Sequence, residues 1–155
     1  MRIAIIGRTH YLLNTAKKLL LDGHKITFIY TCKGEDFYQA SEKDFKDFAK
    51  KNKIPFFCDT KINKKARVLN KFKSEVALSM NYKNIIKDSI ISTFKYGILN
   101  SHPGDLPKYR GNACPNWAIL NFEKKIALTI HKMTTELDSG PILSKKYYKI
   151  NDNTY

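Results

Sequence analysis

Residues 2–31, RIAIIGRTHYLLNTAKKLLLDGHKITFIYT, contain the pattern that decides the fold class. RIAIIG is a short apolar run that ends in glycine and KITFIYT is a second apolar run, so both are predicted to be buried strands of a parallel sheet. The segment between them is predicted to be a helix that stops at Gly23, and its apolar residues recur at helical spacing: Leu12, Leu13, Ala16, Leu19 and Leu20. The stretch therefore predicts a strand, a helix and a second strand.

The same alternation continues along the rest of the sequence. Further strands are predicted in five apolar segments: IPFFC, EVALSMN (residues 75–81), YGILNSH, IALTIHKM and PILSKKYYKI. Further helices are predicted in SEKDFKDFAKKN with Ser41 as N-cap, in residues 64–72, in YKNIIKDSII and in CPNWAILNFE. Short connections between alternating elements indicate an α/β fold, a mostly parallel sheet with helices on both faces. In such folds ligands bind beyond the carboxyl ends of the strands.

The length and the composition indicate one domain over residues 1–155. The chain is 43% hydrophobic and 12% aromatic, which is enough to bury a core. No apolar run approaches the roughly 20 residues that span a bilayer, and the start MRIAIIGRTH does not resemble a signal peptide. Three cysteines, Cys32, Cys58 and Cys114, form no CxxC pair. We therefore expect a cytoplasmic protein with reduced thiols, without a disulfide framework or a metal site.

The formal net charge of +14 has two interpretations. Eleven Lys and Arg residues lie between Lys43 and Lys73, against three Asp. They indicate either a surface that attracts phosphates, such as those of tRNA or a nucleotide, or a lysine-rich composition on solvated helix faces. The scarcity of Arg favours the second interpretation, because Arg is the usual partner of phosphate groups. The charge alone leaves the partner open.

LNSHPGDLPKYRG, residues 99–111, places a carboxamide and an imidazole at the predicted end of a strand. Asn100 and His102 are two residues apart, so they lie on one face of that strand, and Pro103 ends it. Asp138 follows the strand IALTIHKM in a DSG sequence, which is also ordinary turn chemistry. GRTHYLL has one Gly where a dinucleotide fingerprint needs three, and neither a Walker loop nor a G-x-S-x-G elbow occurs.

In combination, Asn100-Ser101-His102-Pro103, DLPKYRG and Leu137-Asp138-Ser139-Gly140 resemble the core pattern of the N10-formyltetrahydrofolate-dependent formyltransferases. Members of this family act on methionyl-tRNA, on glycinamide ribonucleotide or on the amino group of nucleotide-linked sugars. The resemblance extends from RIAIIG to PILSKKYY and includes EVALSMNYKNII. It implies a Rossmann-like catalytic domain that uses N10-formyltetrahydrofolate as formyl donor and no metal.

The resemblance assigns a catalytic role to three polar residues. Asn100 would donate a hydrogen bond to the formyl oxygen as negative charge develops there. His102 would polarise the carbonyl or accept the amine proton. Asp138 would orient His102, raise its basicity and hold a proton-relaying water. The nucleophile would be the amine of the substrate, so no covalent enzyme intermediate is required.

The resemblance also suggests where the two substrates bind. The family holds the pterin largely by backbone groups and apolar walls, which by position are here Met80, Asn81, Tyr82, Thr135 and Leu137. A core aromatic beside the sheet is the alternative explanation of Tyr82. Residues expected at the acceptor are Lys83, Arg110 and Trp117. The alternatives are a plain surface charge for Arg110 and a core helix position for Trp117.

Two features favour an amino-deoxysugar on a nucleoside diphosphate as the acceptor. PGDLP and NWAI resemble the sugar-modifying branch of the family, whereas TCKGEDFYQASEKDF lacks the Gly- and Arg-rich loop of the tRNA enzymes. The sequence ends at KINDNTY, where family members continue with more sheet and a closing helix. We therefore expect that a C-terminal strand or helix and any accessory domain are absent, or that a partner such as a second copy in a homodimer supplies the cover.

Sugar N-formylation for lipopolysaccharide O-antigen synthesis is the leading hypothesis from the sequence. Methionyl-tRNA formylation is an alternative that only the positive charge favours. A truncated, non-catalytic remnant of the family is a third possibility, which the short C-terminus favours. Nucleic-acid binding without catalysis would leave the Asn, His and Asp residues unexplained.

Overall fold

The computed structural model describes residues 1–151, so the last four residues of the predicted domain 1–155 lie outside the described residues. Within these residues the structure has seven strands, and a helix separates each of the first five from the next: β1 (Arg2–Gly7), β2 (Lys25–Thr31), β3 (Phe56–Cys58), β4 (Val76–Met80), β5 (Ile98–His102), β6 (Lys125–Lys132) and β7 (Ile142–Lys149). They form a seven-stranded sheet in the order β3-β2-β1-β4-β5-β6-β7. The strand β1 pairs in parallel with β2 and β4, β2 pairs in parallel with β3, and β6 and β7 are antiparallel. The predicted mostly parallel α/β fold is therefore confirmed.

Five α-helices connect the strands: α1 (His10–Leu21), α2 (Glu42–Lys51), α3 (Ala66–Asn70), α4 (Asp88–Ile91) and α5 (Cys114–Leu120). A 3-10 turn at Ile62–Lys64 precedes α3. The first two helices begin at side-chain caps, because the Thr9 hydroxyl accepts from the Leu12 amide and Ser41 forms a capping box with Asp44. These caps explain why both helices begin where the sequence predicts.

Contacts divide the chain into two compact units, of which the first comprises Met1–Leu99. Its core lies on one face of the parallel strands, where Ile3, Ile5 and Phe45 are at most 4% exposed. An aromatic cluster surrounds Phe28, whose ring centroid lies 5.3 Å from that of Phe72. Burial of a side chain of this size contributes about 1.5–3 kcal/mol. Apolar packing on β1 and β2 therefore fixes this unit.

One predicted helix of the first unit is mostly absent. YKNIIKDSII was expected to be helical, but only Asp88–Ile91 forms α4. The Asn63 side chain accepts from the Lys87 amide and donates to the Ile85 carbonyl, both at 2.9 Å. These bonds satisfy the backbone groups that a helix would otherwise pair, so the segment is not helical up to Lys87.

The second unit begins at Asn100 and contains β6, β7 and α5. Along β6 the side chains of Ala127, Thr129 and His131 are at most 1% exposed, whereas nearly every residue of β7 is exposed. The Lys145 ammonium donates to Asp105 at 2.7 Å and ties β7 to the loop that follows β5. Among residues 1–151, no helix is both long enough and apolar enough to cross a bilayer.

Candidate active site

The end of β5 carries the carboxamide and imidazole that the sequence places on one face. Ile98, Asn100 and His102 are the buried residues of this strand, and they alternate with half-buried ones. Asn100 is 7% exposed and His102 is 4% exposed. Pro103 follows directly and the strand ends, because proline lacks the amide that a ladder needs.

The DSG turn after β6 brings a carboxylate to the same place. Asp138 has a φ of 46°, and its Oδ2 accepts from the Gly111 amide at 2.9 Å. Gly140 lies so close to the Lys132 carbonyl that a side chain there would collide with it. The turn therefore needs glycine at position 140 and a residue that tolerates the left-handed region at position 138, for which Asp is among the better choices.

The structure places the three predicted catalytic residues in one polar cluster. The Asp138 Oδ2 atom lies 3.5 Å from His102 Nδ1, and the Asp138 side chain is only 11% exposed. His102 Nε2 lies 2.7 Å from the Tyr109 carbonyl oxygen, and since a carbonyl only accepts, Nε2 is the donor. Both ring nitrogens of His102 therefore face protein groups.

His131 is a fourth member of the cluster, and the sequence analysis missed it. Its Nε2 lies 3.1 Å from Asn100 Nδ2 and 3.5 Å from Asp138 Oδ1. His131 Nδ1 lies 3.3 Å from the Lys132 carbonyl and donates to it, because a carbonyl only accepts. In the neutral ring Nε2 then carries no hydrogen and accepts from the Asn100 amide. The available signal was the alternation along β6, since Thr129 and His131 share the buried face of that strand.

Cys114, at the start of α5, is a second residue that was missed. Its sulfur lies 3.5 Å from His102 Nε2 and 3.3 Å from the Gly111 carbonyl, to which the thiol donates. Burial, and then the negative charge of Asp138, raise the pKa of this thiol. The thiol is therefore a neutral packing group in the cluster. Its position depends on the loop conformation, which leaves no signal in the sequence.

Two opposing effects set the protonation of Asp138. Burial alone raises the pKa of its carboxyl group. The contact with His131, the hydrogen bond from the Gly111 amide and the positive charge available on His102 and His131 outweigh burial, and the pKa lies below its usual value of 3.8. Asp138 is therefore an anion at neutral pH. Within the described part of the chain, no three His, Cys, Asp or Glu side chains are grouped as metal ligands.

The residues predicted near the pterin in the first unit lie at the carboxyl end of β4. The Met80 sulfur accepts from the Thr9 hydroxyl at 3.0 Å. Asn81 has a φ of 52°, and its carbonyl accepts from the buried Arg8 side chain at 2.9 Å. Tyr82 is half-buried and donates to the Asp59 carbonyl at 3.1 Å, which gives it a structural role beside the sheet.

The remaining predicted binding residues are exposed. In the second unit, Thr135, Leu137 and Arg110 lie on the surface, and Leu137 is 57% exposed next to Asp138. Lys83 is exposed in the first unit, and its charge helps to lower the pKa of Glu35, after the larger effect of Arg8. Trp117 is 56% exposed, so the alternative of a core helix position is wrong. It lies on the outer face of α5, whose buried residues are Cys114 and Ala118.

A Rossmann-like α/β fold, with a buried carboxamide and imidazole at the end of β5 and a carboxylate in the turn after β6, defines the class of protein to which the chain belongs. The formyl transferase family model matches residues 1–154, so the chain belongs to this family and the predicted family is confirmed. It is 40% identical over 119 residues to the bifunctional polymyxin resistance protein ArnA of Wigglesworthia glossinidia brevipalpis, covering 73% of this chain and 18% of that protein. It is 29% identical over 160 residues to the methionyl-tRNA formyltransferase of Rickettsia canadensis, covering 99% of this chain and 52% of that enzyme.

Solved structures share the fold. Glycinamide ribonucleotide transformylase 1 from Symbiobacterium toebii superposes with a TM-score of 0.81 at 17% identity, covering 98% of this chain and 74% of that chain. WlaRD, a sugar 3N-formyl transferase crystallised with dTDP and 5-N-formyl-THF, superposes with a TM-score of 0.72 at 22% identity. The superposition covers 97% of this chain and 53% of that chain. At these identities the likeness is one of fold. The chain spans about half or less of the length of these two curated relatives.

Proposed function

We propose that this chain transfers a formyl group from N10-formyltetrahydrofolate to the amino group of a nucleotide-linked amino sugar, with residues 1–155 as the catalytic domain. The observation that carries the proposal is the cluster of Asn100, His102 and Asp138 in the second unit, with 3.5 Å between His102 Nδ1 and Asp138 Oδ2. Attack of an amine on a formyl group requires a donor for the developing oxyanion, an acceptor for a proton and a charge that supports that acceptor. These three side chains offer all three groups.

Asn100 supplies the hydrogen-bond donor in this proposal. Its amide carries two N–H groups, of which one points to His131 Nε2 at 3.1 Å. The second N–H is then available for the formyl oxygen. His131 fixes the orientation of the amide, so the donor is in place before charge develops, and removal of one such donor typically costs about 10²–10³ in kcat.

His102 and Asp138 handle the proton. The Asp138 carboxylate lies 3.5 Å from Nδ1, where it can orient the imidazole that accepts the amine proton. Because Nε2 donates to the Tyr109 carbonyl in this arrangement, proton transfer through Nε2 requires that bond to open. The loop between β5 and α5 would therefore shift when the amine arrives.

The chain offers groups of the right chemistry for both substrates. The donor supplies a formyl group on N10 when it is bound. In the turn before Asp138, Leu137 and Thr135 are exposed, so the donor can contact the apolar side chain of Leu137 there. In the first unit, Met80, Asn81 and Tyr82 are the residues proposed to contact the pterin. Of the residues proposed to contact the acceptor, Lys83 in the first unit and Arg110 in the second are exposed cations, and Trp117 in the second unit has an exposed ring.

The acceptor class is supported by the sugar-type motifs PGDLP and NWAI, and by the shared fold with WlaRD. Formyl transfer should be measured with N10-formyltetrahydrofolate and a panel of nucleotide-linked amino sugars, with mass spectrometry of the product. His102→Ala should abolish the gain of one formyl group, while His24→Ala, directly before β2 and at the amino end of the parallel strands, should retain it. An active His102→Ala protein would refute the assigned role. Failure with every acceptor and no binding of the donor would support a non-catalytic remnant.

Methionyl-tRNA formylation is the second candidate. Methionyl-tRNA formyltransferases from Rickettsia, Thermotoga and other bacteria are 25–31% identical to this chain over almost its whole length, and the net charge of +14 suits a polyanion. Methionyl-tRNA should therefore be included in the same assay. Formylation of the tRNA, with affinity that falls steeply as salt rises, would favour this candidate over the sugar.

A further inference from the structure

A cavity of about 320 Å³ opens in the first unit at the amino ends of β1 and β2. Because β1, β2 and β4 are parallel, this is the edge of the unit opposite to Met80 and Asn81. Four cations and two large apolar residues account for most of its lining: Arg2, Lys25, Lys53, Lys71, Ile26 and Phe72. The residues that line the cavity include no carboxylate.

The lysines of this pocket have no carboxylate partner among the described residues. Lys25, Lys53 and Lys71 form no ion pair with any residue in the described part of the chain. The Arg2 side chain is held at the pocket by carbonyl oxygens, those of Phe72 and, at 2.8 Å from Nε, Lys73. A carboxylate next to the pocket, Glu75, accepts from the backbone amide of Arg2 at 2.7 Å rather than from its guanidinium. The excess positive charge therefore remains available for a ligand.

Local structure explains three of these four cations. Lys53 and Lys71 follow the carboxyl ends of α2 and α3, where the helix dipole favours a cation, and Arg2 donates to the carbonyls of the turn after α3. Lys25 begins β2 and has no such local role. Four separate elements thus direct like charges to one concavity, which an anion would stabilise.

We propose that this pocket binds a small ligand that carries two or more phosphate groups. Its volume lies at the lower end of the range of small-molecule sites, about 300–1,000 Å³, and suits a compact anion better than a nucleic-acid helix. Lysine ammonium groups are mobile point charges that follow phosphate oxygens, and Arg2 adds a planar donor. Ile26 and Phe72 offer an apolar wall to any organic part of the ligand.

Calorimetric titration of the full 155-residue chain with inorganic tripolyphosphate, at about 150 mM salt, tests the proposal. A saturable site with one ligand per chain is expected. The variant Lys25→Gln/Lys53→Gln/Lys71→Gln should weaken binding by at least about tenfold. The control Lys43→Gln/Lys46→Gln/Lys50→Gln removes the same charge from exposed positions on α2 and should stay within about twofold of the parent. Thermal unfolding of all three proteins checks that each is folded.

The titration has clear contrary results. Equal weakening in both triple variants would mean that only net charge is sensed, and the proposal would be wrong. Absence of saturation, or binding of single-stranded RNA without binding of tripolyphosphate, would also overturn it. ATP in a parallel titration identifies the source of the phosphates: a gain over tripolyphosphate that Phe72→Ala removes indicates an organic phosphate, and equal affinity indicates an inorganic one. Because the pocket and the Asn100 cluster share no residue, this result does not depend on the proposed formyl transfer.

Discussion

Replacing Asp138 by Asn should destabilise the folded chain through the loss of one buried charge. The substitution keeps the shape of the side chain, and Asn tolerates the left-handed φ of 46°. One oxygen remains to accept from the Gly111 amide, which now lies 2.9 Å from Asp138 Oδ2. The attraction of the carboxylate for His102 and His131, each at 3.5 Å, disappears. The change therefore isolates the charge from the packing.

The expected magnitude follows from the kind of hydrogen bond that is lost. A hydrogen bond to a charged group contributes about 1.5–3 kcal/mol and a neutral one about 0.5–1.5 kcal/mol, so Asp138→Asn should cost about 1–2 kcal/mol. For a chain of this size, 1 kcal/mol corresponds to about 2–4 °C in Tm. We therefore expect a Tm that is about 2–8 °C lower than that of the parent at neutral pH.

The difference between the two proteins should depend on pH. The fold lowers the pKa of Asp138 below 3.8, so the ionised carboxylate contributes stability that is complete above this value. As pH falls through the lower folded-state pKa, the carboxylate protonates and this contribution is lost. Urea unfolding of parent and variant between about pH 7 and about pH 3 should show the difference narrowing at the acid end.

A matched charge removal on the surface provides the control. Asp22 pairs with Lys18 at 2.8 Å on α1, where both side chains are largely exposed, so Asp22→Asn should change stability by less than about 1 kcal/mol. If Asp138→Asn were as stable as the parent at neutral pH, or if its deficit were larger at about pH 3 than at about pH 5, the account of the buried carboxylate would be wrong.

Two further substitutions test the loop that holds His102. In Gly104→Ala the added Cβ would lie 2.5 Å from both His102 Nε2 and the Tyr109 carbonyl oxygen. Formyl transfer should therefore fall, and the free energy of unfolding should drop by about 1–3 kcal/mol. In the control Gly34→Ala the nearest atom to the added Cβ is 3.4 Å away, so this variant should be close to the parent in both assays. Thr129→Val removes the 2.7 Å hydrogen bond from a buried hydroxyl to the Gly104 carbonyl and should lower the free energy of unfolding by about 1 kcal/mol. Thr129→Ser should retain this hydrogen bond. Equal stability of the Val and Ser variants would contradict the contribution of the bond.

The sequence predicts most of this fold because its signals are local. Apolar runs that end in glycine or proline identify β1 and β5, and Ser41 identifies the start of α2. The failure in YKNIIKDSII has a non-local cause, since the Asn63 side chain, more than 20 residues away, takes the backbone groups of that segment. Propensity cannot report a competitor that is supplied by another part of the chain.

The candidate site divides in the same way. Asn100 and His102 follow from the period of a strand, and Asp138 from a turn that resembles a family motif. The alternation of buried residues in β6 could have predicted His131, but a single buried His in a strand does not by itself indicate a site. The Tyr109 carbonyl could not be predicted from the sequence, because every residue has a backbone carbonyl.

This backbone acceptor sets the order of events in the proposed reaction. With Nε2 bonded to the Tyr109 carbonyl at 2.7 Å and Nδ1 facing Asp138, His102 has no free nitrogen for a substrate proton. An amine that reaches the formyl carbon must first take the place of the Tyr109 carbonyl. The Tyr109 carbonyl belongs to a loop that two side chains hold in place. Thr129 donates to the Gly104 carbonyl, and Lys145 donates to the Asp105 carboxylate. Loop displacement and proton transfer are therefore coupled in the proposed reaction. A substitution that loosens the loop without contacting His102 should raise the affinity for the acceptor amine and lower the free energy of unfolding.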